Sequence, residues 1–190
     1  MKIRWTHKIL FYTVCGMLLG CGSAAKSVNA KDSSALLDEL VTLKSFRIES
    51  DWARPLNTNA MNWASQAGLM PSGSGPGQVN LIGNPNFLQV YGDTVQAYLP
   101  YYGEQQMGAG YGGKNAIECK GIPRDYTAVK MDTGSGYDIA FKLTEGTESF
   151  DFKIALFSNL KSSISVTSSH RNPIRYEGTV RALTKERDKQ

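Results

Sequence analysis

From Ser45 onward the side chains alternate between apolar and polar with a period of two, in short runs separated by turn-forming residues. Successive side chains of a strand point to opposite faces of a sheet, so this period specifies strands with one dry and one wet face. Phe46, Ile48 and Trp52 alternate with Arg47, Glu49 and Asp51. A short run follows at Val79–Ile82, then Phe87–Tyr91 and Thr94–Leu99 joined at Gly92-Asp93, an order suited to a type II′ hairpin turn. The second half reads as six further strands near Ala116–Lys120, Tyr126–Met131, Tyr137–Leu143, Phe150–Phe157, Ser163–Ser168 and Ile174–Ala182. Turn signals separate the later ones at Asp132–Gly136, Glu145–Thr147, Ser158–Lys161 and Arg171–Pro173. Regularly spaced short antiparallel strands predict one mainly β domain, a single meander forming a sandwich or barrel. Ala35–Val41 has helical spacing, with Asp32 or Ser33 placed to cap it, and predicts one short N-terminal helix. The Gly- and Pro-rich stretch Pro55–Gly77 is expected to be mostly loop.

Ahead of the domain, Lys2, Arg4 and Lys8 precede the apolar run Ile9–Leu19, the order of a secretory signal. The run is too short to span a bilayer comfortably. It ends in Leu18-Leu19-Gly20-Cys21, which resembles the lipobox of bacterial lipoproteins, where cleavage precedes a cysteine that is then acylated. The organisation expected is a signal peptide at 1–20, a lipidated flexible tether at 21–34, the β domain at 35–184 and a charged tail at 185–190. Cys21 would attach the protein to a membrane. The absence of Asp after it points to the periplasmic side of the outer membrane, by resemblance to other Gram-negative lipoproteins.

Removing that leader takes away three of the 21 basic residues and none of the 17 acidic ones, leaving the mature side chains near +1. A nucleic-acid partner is therefore not expected, since such proteins carry a concentrated basic face. Cys15 leaves with the signal and Cys21 carries lipid, so Cys119 is the remaining thiol and no internal disulfide can form. Cys119 shares the parity of Ile117, which predicts a buried thiol and not a nucleophile.

Gly108–Lys114 matches the spacing of a phosphate-binding loop, yet Asn115 stands where the Mg²⁺-holding Ser or Thr belongs and a strand follows where a helix is required. His170 is the one histidine of the mature chain, in Ser168-Ser169-His170-Arg171, with no nucleophile elbow around any serine. One histidine and one thiol do not suit zinc, and Asp132–Gly136 is too sparse in acids for Ca²⁺. Glu104, Glu118, Asp125 and Glu177 would supply carboxyls for glycoside hydrolysis, but acids on the wet faces of strands look the same. No enzyme activity, cofactor or metal is expected.

The aromatic block Ala97-Tyr-Leu-Pro-Tyr-Tyr-Gly103, with Phe157-Ser-Asn and Val166–Gly178 later, resembles the lipoprotein family called domain of unknown function 4251. The resemblance extends over nearly the whole mature chain and implies a lipocalin-like barrel or half-barrel. The family carries no assigned activity, so it implies no catalytic residues. Tyr98, Tyr101 and Tyr102 flank the stiff Pro100, and Tyr111 lies on the Gly-rich loop beyond, so these four are the candidate ligand contacts at a barrel mouth. The function expected is a membrane-tethered envelope module for a small molecule or lipid. The alternative is a structural or protein-interaction lipoprotein with no ligand pocket, recognisable by a filled core and an exposed apolar patch or free sheet edge.

Overall fold

A computed structural model describes residues 30–106, 115–132 and 134–183. Two helices, α1 (Ala30–Thr42) and α2 (Asn59–Gln66), accompany ten strands. These are β1 (Ser45–Pro55), β2 (Val79–Asn80), β3 (Phe87–Tyr91), β4 (Thr94–Pro100), β5 (Ala116–Gly121), β6 (Arg124–Lys130), β7 (Gly136–Glu145), β8 (Glu148–Phe157), β9 (Lys161–Ser168) and β10 (Ile174–Ala182). They form one antiparallel sheet in the order β5-β4-β3-β1-β10-β9-β8-β7-β6, with β2 added beside β1. The expected meander is thus present as a curled half-barrel. The Gly92-Asp93 turn has Gly92 at φ 60, with Asp93 outside the left-handed region, as a II′ turn requires.

Two expectations change. The helix begins at Ala30, so Asp32 and Ser33 lie in its first turn instead of capping it, and residues 30–34 are helix where tether was expected. Ser33 is buried there, which ties this turn to the domain. The stretch after β1 contains α2, whose Thr58 side chain accepts the Met61 amide at 3.3 Å. It ends in a Schellman arrangement, with Gly68 N–H on the Ser65 carbonyl and Leu69 N–H on the Ala64 carbonyl. The signal segment, Cys21 and the charged tail lie outside the described residues.

The strands β5 and β6 follow one another in sequence yet stand at opposite edges of the sheet. Only Ile122 and Pro123 separate them, so the two edges meet within about 11 Å, three Cα steps, at that corner. Gly121 at the end of β5 faces the Leu143 side chain of β7. The curl therefore brings the edges together without a hydrogen-bonded ladder between them.

Inside the curl the inward residues of every long strand except β6 meet in one contiguous core, including Phe46, Ile48, Leu99, Phe141, Phe152, Ile164 and Tyr176. An aromatic file runs through it: Tyr126 stacks on Phe141 at 6.0 Å, Phe141 on Phe152 at 5.0 Å, and Phe152 meets Phe150 at 6.2 Å. From α1, Leu37, Leu40 and Val41 enter the same core at the end where β1 begins. At the margin of that apolar stripe Asp38 accepts the Tyr137 hydroxyl at 2.8 Å and Lys130 at 3.2 Å. These bonds hold its carboxyl below the usual carboxylate range.

Along β1 the partners on one edge are split. Ser45–Ile48 pair with β3 and Trp52–Ala53 with β2, leaving Ser50 between them. The Asn86 side chain fills that gap, accepting the Ser50 amide at 2.8 Å and donating to the Ser50 carbonyl at 2.9 Å. On the other edge the register shifts between Ser50 and Trp52, and Gly178 of β10 lies so close that a Cβ there would sit 2.0 Å from the Glu49 carbonyl oxygen. Replacing Asn86 by Ala orphans two buried backbone groups and is expected to destabilise the domain by about 2–4 kcal/mol. A urea midpoint unchanged from wild type would show that something else serves Ser50.

Candidate functional site

Parity along β4 decides where the tyrosines go. Val95, Ala97 and Leu99 point into the core, so Tyr98 stands on the outer face, where it stacks on Phe87 at 6.3 Å. Tyr101, two residues beyond Leu99, is buried in the core. Its hydroxyl is directed at the Glu104 carbonyl at 2.9 Å and the Asn172 carbonyl at 3.1 Å. Tyr102 is half-buried and packs against the core from its margin. Tyr111 lies outside the described residues, as does Gly108–Lys114. Tyr98, Tyr101 and Tyr102 thus do not line one cavity, because sheet geometry sends Tyr98 to the face opposite Tyr101.

What Tyr101 belongs to is a polar latch across the end of the half-barrel opposite α1. Arg171, in the β9–β10 connection, grips Glu148 through two bonds, Nε to Oε1 at 2.8 Å and Nη2 to Oε2 at 3.1 Å. The pair is largely shut off from water, with side chains 8% and 15% exposed. Arg171 also donates from Nη1 to the Ala116 carbonyl at 3.2 Å, and its guanidinium lies 5.2 Å from the centre of the Tyr101 ring. Ser168 Oγ donates to Glu148 as well. Burial alone would raise the Glu148 carboxyl, but the bonds from Arg171 and Ser168 outweigh it and hold the group below its ordinary range. Tyr176 completes the seal by donating its hydroxyl to the Pro100 carbonyl at 3.0 Å. The chain after Pro100 is stitched to the same connection by Gln106 N–H to the His170 carbonyl at 2.7 Å and Asn172 N–H to the Glu104 carbonyl at 3.2 Å. Of the aromatic block, Tyr101 therefore helps to close the end of the sheet.

Several clefts on the described surface are open to solvent. One of about 270 Å³ lies beside β5, with Phe87, Gln96, Tyr98, Glu118, Lys120 and Glu145 around it. Another of about 310 Å³ runs over the small residues Ala140, Ala155, Ser163 and Ser165 on the outer face of β7–β9. Cys119 is buried beside Ile117, and burial pushes its thiol up to about 12, so the thiolate that a nucleophile needs is scarce at neutral pH. Ser169 Oγ does lie 2.8 Å from His170 Nδ1, but the two are adjacent in sequence, with Ser169 exposed and His170 half-buried. The Ser169 oxygen also accepts the Ser149 amide, and the neighbouring Glu148 carboxylate is occupied by Arg171. Among the described residues no hydrogen bond to His170 Nε2 is present.

Two measurements check the latch. Tyr101→Ala is expected to cost about 3–5 kcal/mol and Tyr102→Ala about 1–2 kcal/mol, read from denaturant midpoints. Equal losses would sink the parity assignment. Because the folded Glu148 carboxyl titrates below its unfolded value, its contribution is full above the ordinary carboxyl range and is lost as pH falls through the folded pKa. Wild type should therefore lose more stability than Glu148→Gln between about pH 6 and about pH 3. Parallel pH profiles would mean that the pair is not coupled to folding.

The chain matches the family model described as "Domain of unknown function (DUF4251)" over residues 29–180. Among solved structures it is similar to a DUF4251 family protein from Bacteroides eggerthii DSM 20697, with a TM-score of 0.52 and 12% identity. That likeness covers 79% of this chain and 87% of the other, and it concerns the fold. No curated protein matches the chain. With the match running from before α1 to within β10, the chain belongs to the family of domain of unknown function 4251.

Proposed function

We propose that this protein is a lipid-anchored, non-catalytic module of the cell envelope that acts through its outer surface and carries no small molecule inside the sheet. The observation that supports this reading is the filled interior: the concave side of the sheet is occupied by the protein's own side chains, sealed by α1 at one end and by the Tyr101–Arg171–Glu148 latch at the other. A carrier needs a concave pocket of roughly 300–1,000 Å³ that buries most of its ligand. The surface clefts, of about 270, 310 and 400 Å³, lie open to solvent and do not enclose a ligand. Anchoring rests on the lysine- and arginine-led leader and on Leu18-Leu19-Gly20-Cys21. The periplasmic side of the outer membrane is the proposed location, on the absence of Asp after Cys21.

The test has two arms on the full chain expressed in a Gram-negative host. Cys21→Ser is expected to move the protein from the detergent phase to the aqueous phase with its unfolding midpoint unchanged, since the residue precedes the described domain in sequence. A variant that stays in the detergent phase removes lipid at Cys21 from the account. Organic extraction of the wild-type protein should release no stoichiometric non-covalent lipid or small molecule. Finding one in unit ratio would restore the carrier reading.

A further inference from the structure

We infer that the excursion between β1 and β3, Leu56 to Asn86, is the face that rests against the interfacial layer of a lipid bilayer. The inference rests on the anchoring proposed above and names the surface that anchoring brings to the membrane. From Pro55 to Gly92 the chain carries no Lys, Arg, Asp, Glu or His. At the chain's own content of 20% charged residues, a stretch so long would carry about eight. The same excursion holds four of the large apolar side chains left in solvent: Leu56 at 53%, Trp63 at 66%, Leu69 at 67% and Ile82 at 68% exposed. Among the other exposed apolar residues, Leu43 is followed by Lys44 and Val129 by Lys130.

This exposure is built in. The Thr58 cap and the Schellman turn fix both ends of α2. Met61, the buried residue of α2, faces the core, and Trp63, two positions on, is turned through about 200° to the far side. Leu69 is the residue that closes the Schellman turn, so its place is set by backbone bonds while its side chain stays outside.

Three considerations choose a bilayer as the occupant. A charged segment laid on lipid must strip water from its charges. The excursion brings none of its own, and the charges beside it belong to β1, where Arg54 is held by Glu177 and Gln78 and Arg47 by Gln89. An exposed Trp, with an apolar body and an N–H at its rim, is the side chain most at home at headgroup depth. The chain from Cys21 to Ala30 spans at most about 32 Å, the scale of a small domain, so an anchored domain never leaves the surface and composition selects which face lies down. At the high effective concentration set by so short a tether, a contact too weak to hold a free protein suffices.

The test uses the processed, acylated chain in phosphatidylcholine vesicles. Trp5 departs with the leader, so a Trp52→Phe protein reports on Trp63 alone, and intact mass confirms the processing. Phosphatidylcholine brominated near the headgroup end of its chains is expected to quench Trp63 emission at least about two-fold, and to leave Trp52 nearly unaffected in the Trp63→Phe protein. Protein that floats with the vesicles while Trp63 remains unquenched overturns the inference and leaves the anchor standing. Unquenched Trp63 that is shielded from acrylamide in a dimeric protein overturns it in favour of a second copy. Protein that does not float removes the anchor and the inference together.

Discussion

The constraint on which this structure depends is that a sheet can curl upon itself without closing its hydrogen-bonded ladder only if side chains seal what the ladder leaves open. The edges β5 and β6 meet at the Ile122-Pro123 corner but do not pair. Packing must do the rest, and it does so at three places. Gly121 against Leu143 closes the seam, the apolar face of α1 closes one end, and the latch closes the other. The latch is the costly member, because a buried ion pair repays its desolvation only when its geometry is complete. Here both guanidinium–carboxylate bonds, a serine hydroxyl, a main-chain carbonyl and an aromatic ring are supplied together. Removing one partner would leave a charge in a place that water hardly reaches.

The strands and their inward faces were legible because alternation is a local signal that tertiary structure rarely overrides where one face is buried. Tyr101 follows the same rule: it shares parity with Leu99, and Leu99 is fully buried. Helix α2 escaped because its apolar residues are few and its neighbours are Asn, Gly and Pro, the vocabulary of loops. Its caps were nonetheless written, with Thr58 before it and Gly68 after it. Asn86 and the latch were not legible in this way. Arg171 and Glu148 stand 23 positions apart, and a polarity pattern assigns charges to water. Only the pairing of β8 with β9 brings them together.

The tyrosine block shows why a cluster in sequence is a poor guide to a cluster in space. Three tyrosines around one proline suggest a shared surface, yet a strand distributes neighbours to opposite sides. Tyr98 joins Phe87 on the convex face, Tyr101 is spent on sealing the core, and Tyr102 lies between. The chemistry of a phenol suits the sealing role as well as the binding one, since its ring fills space while its hydroxyl reaches the carbonyls of Glu104 and Asn172 at the end of the sheet.

A surface-acting protein with a free sheet edge invites the thought that partners add a strand to it. The edge strand β6 argues otherwise, though it is exposed along most of its length. Pro123 immediately before it cannot donate to a ladder. Asp125 adopts φ 56 and the register shifts between Arg124 and Thr127, which bends the edge away from a flat template. Lys130 closes the strand with a charge held by Asp38. These are the devices by which sheet proteins avoid edge-to-edge pairing. They leave a short run, Tyr126 to Val129, between a bulge and a charge, and Tyr126 turns its ring inward onto Phe141. With the edge blunted and the interior full, the uncharged surface around α2 is the part of the described domain whose composition the fold does not require.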